Sequence, residues 1–490
     1  MAGAKFIALG LSLALPLAVV RTLSRSEFGL YKQAFLILTS ALMLFTLQVA
    51  ASAYYFMPRL PEKKAQVALN VLVFYITVGF AIAALFAIYP QWVVLVFHGK
   101  DLVPQVPLLG LAIFLWLVSS FLEIAPIANG DARAASVLIV LSQFSKTLLI
   151  MGAALLFGSL RAIVVAAVVQ GALQCMILCV YLYRRFGRFW QSFDGPLLKA
   201  QLGNAIPFGL GGVAYVVQSD MHNYFVSYYF DSATFAIYAI GCFQLPLLSL
   251  LLESVGSVLI PEIARLQVEA DHRSIFFLWV SAIRKTAFFF IPICAFLFVM
   301  RYEFITGLFT DRYSEAVPIF AINTVALLLN IFLSSAVLRA FDGCKYFSMK
   351  LHILLIPVMW VALYVGIRAD GLIGAITAVA LVQTLDIVAT TVKSASMLDL
   401  KFRDIGYLSP IMRTMASAGI AALAAFIMKH SLPGLRPLLM LVVCSTVFGV
   451  TYLVAAFILG AVTETEKTDL RSAMVKFYRS VRILRANEAP

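Results

Sequence analysis

Lys146 stands near the middle of an apolar run spanning 134–157. A charge at mid-membrane depth costs roughly 2.5–3.5 kcal/mol on insertion scales, so one that is retained faces a bundle interior or water. Ser136, Gln143 and Lys146 share one helical face at steps of seven and three. An ammonium there can serve as a point charge for a phosphate oxygen. Its plainer use is an ion pair with a carboxylate on a neighbouring helix. The run 200–230 places Tyr215, Gln218 and His222 on one face, with Asp220 offset. Asp220 can bind a proton or cation, hydrogen-bond a polar ligand, or pair with Lys146. His222 titrates in a range that suits a proton relay, but a hydrogen-bonded packing role is the simpler reading. Glu253 and Asp386 lie in two further apolar runs, Asp386 in a polar stripe with Gln383 and Thr390. Each carboxylate can accept a proton or bond helices together. Arg21 and Arg25 follow the first apolar run, where they attract an anion or extend their heads to lipid phosphates.

These residues need membrane helices to position them. The chain of 490 residues is 62% hydrophobic and 12% charged, with a mean hydropathy of +0.96. Soluble domains carry about twice that share of charge. A helix needs about 20 apolar residues to cross the hydrocarbon core. Fourteen such runs are counted: 4–20, 33–57, 66–90, 105–126, 134–157, 161–183, 200–230, 233–260, 279–300, 315–338, 348–367, 371–392, 409–428 and 437–461. The run behind Lys5 lacks a small-residue cleavage site and is followed by many others, so it reads as a first helix rather than a leader. Pro207 with Gly209, Gly211 and Gly212 predicts a kink or unwinding in the seventh span, with Pro246 and Pro357 marking similar points. Transport proteins tolerate such breaks where backbone lines a cavity.

The net charge of +13 reads as helix-flanking Lys and Arg rather than as a nucleic-acid surface. The connectors after even-numbered spans, with the tail, hold most of the Lys and Arg, which places them and both termini in the cytoplasm. The segment from Arg21 to Lys32 departs from that rule on the outer side. The six cysteines follow no metal or disulfide spacing, and no metal site is expected. No connector is long enough for a folded catalytic domain, and there is no GxxxxGK[ST] phosphate loop, which excludes an ATP-driven pump working from this chain alone. Arg471, Lys476, Arg479, Arg482 and Arg485 alternate with apolar residues in the tail 463–490, predicting an amphipathic helix on the anionic inner leaflet.

Residues 21–60 and 228–266 resemble each other: Phe28-Gly29-Leu30-Tyr31 aligns with Phe235-Ala236-Ile237-Tyr238, and Met57-Pro58-Arg59 with Ile260-Pro261-Glu262. Both copies begin after odd-numbered spans, so they share one orientation. That predicts two parallel six-helix bundles related by an axis along the membrane normal. The expected domains are a first bundle at 1–195, a second at 196–395, two added helices at 396–462 and the basic tail at 463–490.

The R-x-L-S-x-x-E-F-G-L-Y stretch at 21–31, the 6 + 6 + 2 layout, Pro207, Asp220 and the turn from Ala236 to Tyr238 leading to Pro261 resemble the Wzx-type polysaccharide/O-antigen flippases. Those proteins belong to the multidrug/oligosaccharidyl-lipid/polysaccharide exporter superfamily. The resemblance implies bundles that open alternately to either side, and movement of an undecaprenyl-pyrophosphate-linked oligosaccharide to the outer leaflet. It also places the family's first-span arginine on Arg21. The expected protein is an all-α, polytopic transporter of the bacterial inner membrane, monomeric and not an enzyme. Lys146, Arg21, Gln143 and Gln218 would bind substrate; Asp220, Glu253 and Asp386 would couple an ion gradient, H+ or Na+, with no other cofactor. Its partners would be the lipid-linked oligosaccharide, membrane lipids and polysaccharide-assembly proteins, but no nucleic acid. A cation-coupled drug exporter or a peptidoglycan-precursor flippase is the alternative within the superfamily. A membrane polymerase or ligase would need a larger outer loop than any present here.

Overall fold

The computed structural model describes residue 10 and residues 15–461, apart from 98, 192, 270, 342–344 and 401. Most of the expected first helix and the whole of the basic tail fall outside the described residues. The rest is helical throughout, with no strand among the described residues. Among the described residues eleven helices are long and apolar enough to cross a membrane, which makes this a multi-pass membrane protein. One of them, Tyr346–Met397, is twice the usual length and changes direction at Asp370 and Gly371. Gly366 packs backbone to backbone against Gly374 there, so the chain doubles back as the separate runs 348–367 and 371–392 anticipated. The expected count of fourteen is not confirmed by helix length and composition among the described residues.

The elements divide into two compact units. The first comprises Met1–Leu250, Leu308–Ala326 and Phe341–Thr390. It contains α1 (Arg25–Phe45), α2 (Ser52–Arg59), α3 (Lys64–Ile88), α4 (Val106–Ser119), α5 (Phe121–Ala128), α6 (Ala132–Phe157), α7 (Leu160–Phe186), α8 (Gly195–Tyr229) and α9 (Ser232–Gly241). The second comprises Leu251–Gly307, Leu327–Ala340 and Thr391–Pro490. Most of α10 (Pro246–Val268) lies in it, with α11 (His272–Val299), α12 (Arg301–Phe309, but for its end), α14 (Ser334–Ala340), α16 (Ser409–Ser431) and α17 (Pro437–Ile458). The short helix α13 (Val317–Leu327) and most of the hairpin α15 (Lys345–Met397) return to the first unit.

In the second unit α16 and α17 pack along each other and α11 lies against α16. The Tyr452 hydroxyl donates to the Phe288 carbonyl at 2.6 Å, and Lys429 pairs with Glu303 at 2.8 Å. In the first unit, α1 opens with a capping box: Ser24 accepts from the Glu27 N–H, and the Glu27 carboxylate accepts from the Ser24 N–H. Such a cap contributes about 1 kcal/mol. Asp231 caps α9 through the Thr234 N–H at 2.8 Å, at the aligned position of the repeated stretch. The two copies meet directly. Gly29 lies against the Ser232 backbone, and the Ser26 and Ser232 hydroxyls share a hydrogen bond of 2.8 Å. Any side chain larger than hydrogen at position 29 would collide with that backbone. Next to this contact Arg25 pairs with Glu315 at 3.3 Å.

The break expected in the seventh span is found in the second. Helix α8 runs without interruption from Gly195 to Tyr229 through Pro207, whereas α1 stops at Phe45 and the chain turns through 46–51 before α2. Leu47 and Gln48 take left-handed backbone angles, φ 43° and 58°. Such angles are costly away from glycine and persist where surroundings over-determine them. Here Tyr75, fully buried, receives the Ala50 N–H at 2.9 Å and donates to the Thr46 carbonyl at 3.3 Å. Gly209 abuts the break from the other side; a Cβ on it would come within 2.6 Å of the Leu47 carbonyl oxygen. The glycine in α8 therefore serves close approach to the break, not a bend of its own helix.

Candidate functional site

Lys146 projects from the middle of α6 onto the indole of Trp116 on α4, its Nζ 4.5 Å from the ring centroid. The indole is held in place by α7. The Ala167 carbonyl accepts its Nε1–H at 2.8 Å, and Gly171, one turn on, leaves room for the ring that a Cβ would fill. Phe35 of α1 meets the same indole edge-on at 6.3 Å. No carboxylate lies within ion-pair distance of Lys146 among the described residues; Glu123 on α5 acts on it only at longer range. The alternative of a pair with Asp220 is not realised: Asp220 accepts from the Ser40 hydroxyl at 3.3 Å. A cation over an aromatic face is worth roughly 0.5–2 kcal/mol, less than burying an ammonium costs, so Lys146 keeps most of its capacity for an anion.

The surroundings of Lys146 are polar on one side. Ser119 donates to Gln174 at 3.2 Å, and the Gln174 amide in turn contacts the Ser142 hydroxyl. Gln143 is half-buried and makes no side-chain hydrogen bond among the described residues. Two glutamines deeper in this region are unsatisfied. Gln170 on α7 is fully buried with neither amide atom bonded, and Gln33 on α1 is 1% exposed with its amide nitrogen unbonded. Buried polar groups nearly always have a partner, and exceptions concentrate at functional sites.

A second set of polar residues gathers on α8 and α15. Gln218, buried, accepts a hydrogen bond from His352 Nδ1 at 3.0 Å, and Tyr215 meets the His352 ring edge-on at 5.1 Å. Asp386, on the returning arm of α15, lies within electrostatic range of His352, and its Oδ1 is buried without a hydrogen bond. Thr390, from the same stripe, turns its hydroxyl onto the Asp386 and Ile387 carbonyls at 2.8 and 3.0 Å. His222 is engaged by Tyr238, its Nδ1 2.8 Å from the hydroxyl, as a packing residue would be.

The remaining candidates lie elsewhere. Glu253 is exposed on α10 and belongs to the second unit, whereas Asp220 and Asp386 belong to the first. Arg21 is exposed, near the end of the helical segment 15–22 that precedes α1. Sequence reasoning missed Trp116 and His352. Trp116 is one aromatic residue in an apolar block, with no spacing that marks it. His352 was visible as an ionisable residue near the start of the run 348–367.

Elsewhere in the first unit another polar group ties three helices. Asp194, the N-cap of α8, accepts from the Leu197 N–H at 3.0 Å and pairs with Lys63 at 2.9 Å. The helix-start N–H and the lysine hold its carboxyl below the usual carboxylate range. Asn70 of α3 donates to the Asp194 carbonyl and to Gln201 at 2.9 and 3.0 Å, and Gln201 donates to Ser52 at 3.2 Å.

Comparison with known proteins gives the family and, separately, the fold. No curated protein matches the chain significantly. Among solved structures it resembles the lipid II flippase MurJ in an inward closed conformation, at 14% identity and a TM-score of 0.69, over 93% of this chain and 98% of that one. It resembles an inward-facing multidrug resistance transporter of the MATE family at 14% identity and a TM-score of 0.63, over 80% and 94%. It also resembles a MOP-superfamily transporter from Pyrococcus furiosus at 14% identity and a TM-score of 0.56, over 81% and 94%. These likenesses establish the MOP-superfamily transporter fold. A family profile described as polysaccharide biosynthesis protein matches residues 18–318, more than half of the chain. The chain therefore belongs to the polysaccharide biosynthesis protein family, built on the MOP-superfamily transporter fold.

Proposed function

We propose that the chain is a flippase that carries an undecaprenyl-pyrophosphate-linked oligosaccharide across the bacterial inner membrane, for O-antigen, capsule or exopolysaccharide assembly. The observation that carries this reading is Lys146: an ammonium in mid-span, seated on Trp116, with no ion-pair partner among the described residues. A diphosphate brings the charge that such a cation lacks. Gln143 beside it and Gln218 on α8 offer hydrogen bonds to sugar hydroxyls, and Arg21 draws the anion at the outer mouth. The prenyl tail stays in lipid while the head crosses by alternating access between two bundles, 1–195 and 196–395. Asp220, Glu253 and Asp386 couple the movement to an ion gradient. Both termini lie in the cytoplasm, and the protein works as a monomer alongside polysaccharide-assembly proteins.

The family assignment supports the oligosaccharide class, and the likeness to a lipid II flippase supports a lipid-linked one. That second likeness also favours a specific alternative, a peptidoglycan-precursor flippase. A cell depleted of its own lipid II flippase separates them. Rescue of growth by this chain supports the alternative; surface polysaccharide lost on deleting the gene, without rescue, supports the reading advanced here.

A further inference from the structure

The second unit carries a cavity of about 420 Å³ that the transport cycle does not use. Its walls come from that unit alone: α11, the 3-10 turn Leu328–Phe332, the end of α15 and the 3-10 segment Phe402–Leu408. Helix α11 contributes Phe276, Trp279, Val280 and Ile283, the i, i+3, i+4, i+7 spacing of one helical face. The Trp279 indole donates to the Phe332 carbonyl at 2.7 Å, which fixes that turn against α11. Tyr407 meets the rings of Phe276 and Phe277 edge-on, each at 5.5 Å, and so ties the 402–408 segment to the same helix. Protein interiors leave few voids larger than a water molecule. A volume within the range of ligand sites, walled by an indole hydrogen bond and an aromatic cluster, is built for an occupant.

The chemistry of the walls says what kind. Apart from Thr391, Ser396 and Asp404 the lining is apolar. The Thr391 hydroxyl is buried without a hydrogen bond, a donor that lacks an acceptor. Asp404 is engaged within the protein. Two guanidinium groups stand on the elements that form the cavity. Arg273, exposed, lies one turn before Phe276, its Cζ 5.8 Å from the centroid of the Phe277 ring that Tyr407 touches. Arg403, also exposed, directly precedes Asp404. Neither forms an ion pair among the described residues. Their charged neighbours are spent otherwise: Arg413 donates to the Gly460 carbonyl at 3.2 Å, and Asp271 caps α11 through the Ser274 N–H at 2.9 Å. An apolar chain, an ester oxygen at its root and an anionic head are the parts of a phospholipid. Basic pockets between membrane helices on the cytoplasmic side take such head groups, and the Lys and Arg count expects this end of α11 to face the cytoplasm.

We propose that this cavity binds an anionic phospholipid of the inner leaflet, its acyl chain against Trp279 and its phosphate held by Arg273 and Arg403. The site belongs to the second unit, whereas Lys146, Gln143 and Gln218 belong to the first, and it stands whatever substrate is transported. The test titrates the full-length protein in detergent with phosphatidylglycerol or phosphatidylethanolamine carrying brominated acyl chains, which quench tryptophan on contact. The Trp279 share of the emission is the difference between the protein and Trp279→Phe. Brominated phosphatidylglycerol is expected to half-quench it at a mole fraction about fivefold lower than brominated phosphatidylethanolamine. Arg273→Gln combined with Arg403→Gln, both at exposed positions, is expected to erase that preference. Equal quenching by the two lipids in the unaltered protein, or a preference that survives the double substitution, overturns the site. Undecaprenyl phosphate that restores Trp279 emission at an equimolar ratio overturns it too, in favour of a prenyl lipid. If Trp279→Phe does not fold, native mass spectrometry decides between the same outcomes. Phosphatidylglycerol retained by the protein should fall about fivefold in the double variant, and unchanged retention refutes the assignment.

Discussion

Asn70, Gln201 and Gln170 are all fully buried in the first unit, and only two of them are satisfied. Asn70 and Gln201 spend their amides on each other, on Asp194, on Ser52 and on a carbonyl of α3, and so join α3, α2 and α8. Gln170, in the helix that seats Trp116, bonds to nothing. Lys146 and Asp386 are alike in this respect: the first lacks an ion pair among the described residues and the second has a bare carboxylate oxygen. An intramolecular hydrogen bond adds about 1 kcal/mol, while an orphaned buried group costs 1–3 kcal/mol. The first set is what holds helices together. The second tolerates a loss of stability that only a ligand or proton would offset.

The largest expected effect is on Lys146. Lys146→Ala should remove surface polysaccharide, at least tenfold by immunoblot of cell extracts, while membrane protein level holds. Falling protein level with proportionate loss of polysaccharide would move Lys146 into the structural set. Next comes Gln201→Leu, which removes the bonds Gln201 makes with Asn70, Ser52 and the Val67 carbonyl and should destabilise the purified protein by about 1–3 kcal/mol in a denaturation series. Gln170→Leu should be neutral or mildly stabilising in the same series, since it removes an orphan rather than a partner. A greater loss from Gln170→Leu than from Gln201→Leu would break the comparison.

The smallest effect belongs to Asp194, which is partly exposed. Its carboxyl is held below the usual carboxylate range by the Leu197 N–H and by Lys63. A depressed folded-state value means that its contribution is complete above about pH 4 and fades as the pH falls through that depressed value. The melting-temperature gap between the protein and Asp194→Asn should therefore be small at neutral pH and close on acidification. Added salt should narrow it as well. A gap that widens in acid would mean that Asp194 is not stabilised as an anion.

Much of this molecule was legible from residue types alone. A run of about 20 apolar residues has few alternatives to a spanning helix, which is why the boundaries near 157, 183 and 299 match the helix ends closely. The strained turn at 46–51 was not legible. Nothing in Thr46, Leu47 and Gln48 disfavours helix, whereas Pro207 and Gly209 in the seventh span do. Tyr75 and Gly209 decide the matter from other helices, one by hydrogen bonding the broken backbone and the other by making room beside it.

From composition and periodicity alone follow a membrane protein of many helices and a lysine held at a depth where charge is disfavoured, because both depend on the solvent around each segment. Which partner that lysine finds depends on side chains far apart in the chain. Trp116 under Lys146, Ser40 on Asp220 and Gln218 on His352 were settled only by helix packing, since proximity across a bundle leaves no trace in local spacing.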